Sequence, residues 1–224
     1  AFRKAIFSSC SGKVVLEVGC GSGILSVFAA QAGASRVVAV EGSPATAARA
    51  KEVVHANNLS ERISIVTGAV EEVVDEINSL LCGSDGGPPK ADVIISEWMG
   101  YLLMCEDMFP SVAFARDRWL VPGGQVIPCA CELWLAPFSH PDMVEELTAY
   151  WQTRPYEVDM TPLARHALDE VIREPVLDHL RSVECIISEA SSAWRMDCAK
   201  CTADEARERQ LDFDFSVIHD APFH

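Results

Sequence analysis

Two glutamates, Glu97 and Glu106, are the residues of this sequence whose type and spacing best suit chemistry. Glu97 follows the β-branched run 93–95 and one serine, a pattern that predicts the end of a buried parallel strand. In open α/β sheets the reactive crevice lies beyond the carboxyl ends of the strands, so Glu97 is predicted to face that crevice. Glu106 follows across a loop that could return to the same edge.

Two carboxylates around one cleft either share a proton or hold a cation, because like charges at close range raise each other's pKa. A planar guanidinium that donates to both sides is the cation that fits them best. A simpler interpretation is that Glu97 caps a loop and Glu106 begins the next helix. It suits Glu106 alone equally well. It does not explain the pair, because Ser-Glu-Trp-Met-Gly-Tyr is unusual loop composition. We therefore predict that both are catalytic.

A glycine-rich turn between a predicted strand at 13–18 and a predicted helix at 24–32 is the second candidate site. Gly19, Gly21 and Gly23 could bring backbone N–H groups and a helix N-terminus against a ligand, although a tight structural turn would use the same residues. The Gly-x-Gly-x-x-Gly spacing of dinucleotide-binding proteins is not present. This argues against a nicotinamide-dependent oxidoreductase.

Two further acids are predicted to bind an adenosine group. Glu41 ends a predicted strand at 36–40, where a carboxylate can bind both ribose hydroxyls. Because NAD enzymes use the same device, Glu41 does not by itself name the cofactor. Glu71 follows the predicted strand 63–66 and could accept from an adenine amino group, or it could be a solvated acid at a helix start.

Composition limits the possible partners and the cellular environment. The net charge of −15 over 224 residues argues against a nucleic-acid backbone as partner and suits a cationic peptide. Neither a transmembrane segment nor a signal peptide is recognisable, so no membrane partner is expected. Nine scattered cysteines favour a reducing compartment, the cytoplasm or the nucleus.

The order of elements predicts an α/β fold with a parallel sheet. Helices at 44–57 and 108–119 alternate with the strands, a turn is predicted at 120–124, and a last strand follows at 125–127. Pro128 marks a change in composition, so we predict domains at 1–128 and 129–224. The second is β-rich and is interrupted by a helical excursion at about 141–181 whose aromatic residues could form a partner surface or fold onto their own core.

Two features near the C-terminal end remain open. Cys198 and Cys201 could contribute to a zinc or redox site with Cys129 and Cys131, although structural zinc needs two well-spaced pairs. The alternation of apolar and acidic residues at 211–217 predicts an edge strand.

Four segments together closely resemble the type I protein arginine N-methyltransferases: 15–23, 38–41, 70–73 and 96–101. Residues 150–151 and 156–160 resemble the family's dimerisation arm, and 213–223 resemble a segment of one member. The resemblance implies a class I methyltransferase Rossmann-like domain, then a β-barrel domain interrupted by the arm, working as a homodimer. The family's upstream cofactor-lid segment and its downstream Thr-His-Trp loop are absent from this sequence, so we expect a chain truncated at both ends.

The resemblance also implies S-adenosyl-L-methionine as cofactor, S-adenosyl-L-homocysteine as product, and an arginine-containing protein or peptide as substrate, with histone tails or Arg/Gly-rich proteins as candidates. Met108 matches a methionine that is associated with asymmetric dimethylarginine. A small-molecule or carboxyl methyltransferase and a non-catalytic cofactor-binding scaffold remain alternatives. No metal is expected. The predicted substrate-binding residues are Glu97, Met99, Tyr101 and Glu106. The predicted cofactor-binding residues are Glu17, Gly19, Cys20, Gly21, Gly23, Ile24, Leu25, Glu41, Gly42, Ser43, Val70, Glu71, Glu97 and Met108.

Overall fold

A five-stranded parallel sheet in the order β3-β2-β1-β4-β5 organises the first structural unit, which comprises Ala1–Leu133 and Trp194–Gln210. The computed structural model describes residues 1–82, 87–173, 185–208, 210–212 and 214–218. The strands are β1 (Val14–Val18), β2 (Arg36–Glu41), β3 (Ile63–Thr67), β4 (Ala91–Ile95) and β5 (Leu120–Ile127). The helices of this sheet are α1 (Phe2–Ser9), α2 (Ile24–Gln31), α3 (Pro44–Ala56), α4 (Val74–Leu81) and α5 (Phe109–Trp119). The predicted α/β Rossmann-like core is confirmed.

The register of the sheet brings the functional strand ends to one edge. Val18 of β1 lies opposite Val40 of β2, and Glu17 lies opposite Ile95 of β4. The central strands are almost entirely buried, as expected for a parallel sheet covered on both faces. Residues that directly follow β1, β2 and β4 therefore meet at the carboxyl edge, where the sequence predicted the site.

The predicted turn at 120–124 lies within β5, which begins at Leu120, and the predicted strand 125–127 pairs with 93–95 of β4. The pairing register shifts between Ala91 and Val93, as at a β-bulge. A Cβ on Gly124 would come within 2.9 Å of the Asp92 carbonyl oxygen. The glycine that suggested a turn therefore allows close approach of two strands at an irregularity.

The second unit comprises Trp134–Ala193 and Leu211–His224, and its described part is mainly helical. Helices α6 (Pro141–Gln152) and α7 (Pro162–Arg173) pack together, separated by a short 3-10 turn at Pro155–Glu157. These elements occupy the predicted arm, of which residues 174–181 lie outside the described residues. Strands β6 (Ala130–Leu135) and β7 (Ser191–Asp197), each of which has residues in both units, pair as a two-stranded sheet. A closed barrel and a domain boundary at 128 stay predictions.

The predicted edge strand at 211–217 is wrong for its described residues, which form only a single bridge between Val217 and Ser188. Alternation alone does not make a strand where no partner ladder is available. Phe213 and residues 219–223, part of the family-like segment 213–223, lie outside the described residues. Helix α8 (Ala203–Arg207) completes the first unit. Within the described ranges, no helix has the length and apolarity that a membrane span requires.

Candidate active site

The glycine turn after β1 adopts a backbone that other residues rarely accept. Gly19, Gly21 and Gly23 have φ angles of 70°, 54° and 78°. In this left-handed region a side chain adds steric cost, which explains three glycines in five residues. The N–H groups of Gly19 and Cys20 both donate to the Val40 carbonyl at 2.9 Å. The turn is thereby fixed to the end of β2.

The side chain of Glu41, at the end of β2, also binds the glycine turn. One carboxylate oxygen accepts from the Gly21 N–H at 2.8 Å, and the other accepts from the Ser43 N–H at 2.9 Å. A carboxylate has about four lone-pair positions, so each oxygen keeps capacity for another donor. Glu41 is thus held in position with free acceptor sites.

A cavity of about 150 Å³ lies at this carboxyl edge. Five residues predicted to bind a cofactor line it: Gly19, Gly42, Val70, Glu71 and Met108. The sequence did not single out Gly68, Ala69 and Ser111, which also line it. Gly68 had a detectable signal, because it directly follows β3, and a Cβ there would meet Val73 at 2.5 Å. Ser111 had none, since it sits in an ordinary first turn of α5.

Glu17 is buried behind the turn and does not line this cavity. The Ser26 hydroxyl of α2 donates to its carboxylate. Burial raises the pKa of Glu17 from 4.5 to about 8, the Ser26 hydrogen bonds lower it in part, and the charge of Glu41 raises it slightly. Glu17 is therefore protonated at neutral pH and links β1 to α2. Burial likewise raises the pKa of the Cys20 thiol to about 12, so this cysteine stays a neutral packing residue.

Ser96 sets the position of Glu97 and was not itself predicted as functional. Its backbone N–H donates to the Ile127 carbonyl at 3.0 Å, and its buried hydroxyl donates to the Val18 carbonyl at 2.7 Å. Ser96 therefore joins the ends of β1, β4 and β5. Glu97, the next residue, is exposed at this edge.

The loop from Glu97 to Asp107 folds so that Glu106 packs against Gly100. Gly100 and Leu103 exchange two backbone hydrogen bonds, of 3.1 and 3.0 Å. A Cβ on Gly100 would lie 2.8 Å from Cγ and 3.2 Å from Cδ of Glu106, so the glutamate side chain packs against the glycine backbone. The residue that follows this loop, Met108, contacts the first glycine of the turn, where a Cβ on Gly19 would collide with its methyl group.

Glu97 and Glu106 are exposed and make no hydrogen bond or ion pair within the described part of the chain. Two acidic side chains without internal partners suit a cation from outside. The interpretation that they serve as caps finds no capping bond on either side chain. Their catalytic role stays a prediction.

The remaining predicted residues lie around this edge in different environments. Tyr101 is 62% exposed and Ile24 is 47% exposed, so both are open to a ligand. Leu25 instead packs against the core cluster below the sheet. Met99 is partly buried, and Ser43 caps α3 by accepting from the Thr46 N–H. Their roles in binding stay predictions.

The turn that carries Cys198 and Cys201 is held to α5 through its backbone. The carbonyls of Cys198 and Cys201 both accept from the buried Arg116 side chain, at 2.9 and 2.7 Å. Among the residues that the structure describes, no group of His, Cys, Asp or Glu side chains is arranged to hold a metal ion.

Comparison with known proteins agrees with this geometry. Residues 8–103 match the family model of ribosomal protein L11 methyltransferase (PrmA). The whole chain is 41% identical to probable protein arginine N-methyltransferase 6 of Arabidopsis thaliana, covering 48% of that protein. Protein arginine N-methyltransferase 6 of Xenopus tropicalis is 37% identical, with 97% of this chain and 60% of that protein covered.

Solved structures give the same result. Protein arginine methyltransferase 10 of Arabidopsis thaliana superposes with a TM-score of 0.70 at 35% identity, covering 93% of this chain and 61% of that one. The Trypanosoma brucei PRMT1 enzyme–prozyme heterotetrameric complex with AdoHcy gives 0.72 at 30% identity, covering 90% and 58%. The chain thus spans about half to three fifths of the length of the relatives it matches.

The sheet order and the glycine turn with its acidic partner define a class I methyltransferase core. Over nearly its whole length the chain is similar to protein arginine N-methyltransferases. Several of these relatives carry the name protein arginine N-methyltransferase 6.

Proposed function

We propose that this protein transfers methyl groups from S-adenosyl-L-methionine to arginine guanidino nitrogens of proteins. The observation that carries the proposal is the pair of exposed carboxylates, Glu97 and Glu106, which have no partner among the described residues at the edge that holds the cavity. The named relatives support the same activity.

The residues at the carboxyl edge fit the adenosyl part of the cofactor. Glu41 has free lone pairs for two ribose hydroxyls, and Glu71 lines the cavity where it could accept from an adenine amino group. The related Trypanosoma brucei complex is described with AdoHcy, and a related PRMT6 structure with SAH. When bound, S-adenosyl-L-methionine supplies an electrophilic methyl group on a sulfonium.

In the proposed mechanism Glu97 and Glu106 bind the substrate guanidinium. A guanidinium is a poor nucleophile, because its lone pairs are delocalised and its pKa exceeds 12. The two carboxylates draw positive charge onto the nitrogens they contact and leave more electron density on the reacting one. Glu97 and Glu106 would hold the guanidinium so that one nitrogen faces the methyl group that S-adenosyl-L-methionine would supply, and the proton lost from that nitrogen would pass to solvent. Positioning and preorganised electrostatics supply most of the acceleration.

The finer assignments follow from the resemblance. Met108 contacts Gly19 and lines the cavity, which supports its proposed part in forming asymmetric dimethylarginine. The acidic charge of the chain favours encounter with histone tails or Arg/Gly-rich proteins in the cytoplasm or nucleus. Residues 1–128 bind the cofactor and 129–224 contribute part of a barrel, with the arm at 141–181 forming a homodimer.

A non-catalytic scaffold is the second candidate. A related chain occurs in a complex described as enzyme–prozyme, so members of this family assemble with partner chains. A scaffold would bind S-adenosyl-L-homocysteine without methylating any peptide by itself.

The test uses the complete gene product. We expect calorimetry to detect binding of S-adenosyl-L-homocysteine and not of NADH. Mass spectrometry should find methyl transfer to an Arg-rich peptide and none to its Lys counterpart. Cofactor binding without transfer would favour the scaffold, and symmetric dimethylarginine would contradict the type I assignment.

A further inference from the structure

The loop that carries Glu106 is tied by side-chain hydrogen bonds to only one other described part of the chain. Arg207, in the last turn of α8, donates from Nε to Oδ1 of Asp107 at 3.0 Å and from Nη2 to Oδ2 at 2.9 Å. No other side-chain hydrogen bond connects residues 97–107 to the described chain outside them. The two residues are 100 positions apart in sequence. This bidentate contact therefore fixes the loop just after Glu106.

The loop has a backbone that needs such support. Leu102, Leu103 and Asp107 have φ angles of 49°, 68° and 47°. Left-handed backbone is costly for leucine and milder for aspartate, and it persists only where surrounding contacts determine it. Within the loop, the N–H groups of Met104, Cys105 and Asp107 make short-range bonds to loop carbonyls. Those bonds hold the loop's shape, whereas Arg207 anchors the C-terminal end of the loop, at Asp107, to α8.

Arg207 is itself held on a fixed base. Thr202 and Glu205 form a capping box at the start of α8. The turn before α8 is bonded to the buried Arg116 of α5 through two carbonyls. Helix α5 begins two residues after Asp107. The loop, α5, the turn at 198–201 and α8 are thus joined in a closed series of contacts, which the Arg207–Asp107 ion pair completes.

We propose that Arg207 is a positioning residue that holds the carboxylate of Glu106 in place for the substrate guanidinium by clamping Asp107. The proposal rests on the proposed function, because it assigns Arg207 a part in the same site. Arg207 does not line the cavity and makes no hydrogen bond or ion pair with Glu97 or Glu106, so it acts through the loop. A misplacement of about 1 Å at a reacting group can cost about 100-fold in rate.

The exposure of the pair separates this role from a role in stability. The side chains of Arg207 and Asp107 are 54% and 55% exposed. Exposed ion pairs add little to folding free energy. The Arg207 hydrogen bonds hold the pKa of Asp107 below its usual value, so the clamp is charged at neutral pH. Removing it should therefore change the loop more than the stability of the fold.

The experiment compares Arg207→Gln, Arg207→Lys and Asp107→Asn in the complete gene product. Lys200→Gln is the matched control, because Lys200 makes an exposed ion pair with Asp197 just before α8 and has no bond to the loop. We expect Arg207→Gln and Asp107→Asn to lower kcat about tenfold. Arg207→Lys should fall between wild type and Arg207→Gln, because lysine keeps the charge and loses the bidentate hydrogen-bonding geometry. The double variant Arg207→Gln/Asp107→Asn should be no worse than either single variant.

Two readouts separate positioning from damage to the fold. Hydrogen exchange should show faster exchange of amides 97–108 in Arg207→Gln than in Lys200→Gln, without substrate present. The melting temperature and the affinity for S-adenosyl-L-homocysteine should match the control. Equal kcat and equal exchange in both variants would overturn the proposal, as would loss of melting temperature and cofactor affinity together. An inactive wild type would count against the proposed function alone, because the exchange comparison still decides whether Arg207 orders the loop.

Discussion

The two halves of the sheet's carboxyl edge hold their carboxylates in opposite ways. On the β2 side, Glu41 accepts two backbone hydrogen bonds and is fixed before any ligand binds. On the β4 side, Glu97 and Glu106 have no partner in the described chain, and the loop between them depends on Arg207. We call the β2 side the rigid half, which carries the proposed adenosyl site, and the β4 side the open half, which carries the proposed cation site.

The largest effect is expected from variants of the two acids in the open half, Glu97 and Glu106. Glu106→Gln and Glu97→Gln keep the shape of each side chain and remove its charge. Each should lower kcat by about 10²- to 10⁴-fold, because electrostatic groups aimed at the reacting centre supply much of the acceleration. Steady-state kinetics with an Arg-rich peptide measures the effect. For Glu106→Gln the affinity for S-adenosyl-L-homocysteine should stay unchanged. Near-normal turnover of either variant would contradict the proposed binding of the guanidinium by these two acids.

The next largest effect concerns Glu17, which is buried behind the glycine turn. The folded protein keeps the Glu17 proton up to about pH 8, whereas the unfolded chain releases it near pH 4.5. Because its pKa is raised in the folded protein, the contribution of Glu17 to the free energy of unfolding is fully present below pH 4.5. That contribution is lost as the pH rises toward 8. The free energy of unfolding should fall by about 1.4 kcal/mol per pH unit in this window from Glu17 alone.

Glu17→Gln removes this contribution, because the amide stays neutral and can still accept from Ser26. Urea unfolding of variant and wild type at several pH values isolates the effect, since the other acids cancel in the difference. The variant should gain stability over the wild type as the pH rises from 4.5 to 8. Parallel curves would show that Glu17 is not buried as a neutral acid.

A smaller effect sharpens the comparison from the side of the adenosyl site. Glu41→Gln leaves one acceptor oxygen where the structure uses two. Losing hydrogen bonds to a charged group costs about 1.5–3 kcal/mol, so the affinity for S-adenosyl-L-homocysteine should fall about 10- to 100-fold. Glu52→Gln in α3 makes the same charge change at an exposed position and should bind normally in calorimetry. Equal affinities would mean that Glu41 serves only the turn.

Local patterns predicted the rigid half well. Apolar runs identified the central strands, and glycines that need positive φ marked the turn after β1, because both signals lie within a few neighbouring residues. The same local logic was incomplete at Gly124, where a glycine allows two strands to approach closely, and failed at 211–217, where a partner strand is lacking in the described chain.

The open half was predicted only as a pair of acids. The sequence predicted neither the packing of Glu106 on Gly100 nor the contact between Met108 and Gly19, because both depend on how the loop folds back. The Arg207–Asp107 contact joins segments 100 residues apart, which no periodicity or turn signal can reveal. Tertiary contacts of this kind, rather than local propensity, position the acids of the site.

The most direct test of the central claim compares binding of an arginine peptide with binding of the same peptide carrying citrulline. Citrulline has nearly the same shape as arginine and no charge, so the ratio of affinities reports the cation site. In the presence of S-adenosyl-L-homocysteine, the wild-type complete gene product should bind the arginine peptide more tightly, and in Glu97→Gln/Glu106→Gln the ratio should approach one. A preference for arginine that survives in the double variant would contradict a guanidinium site built from these two acids.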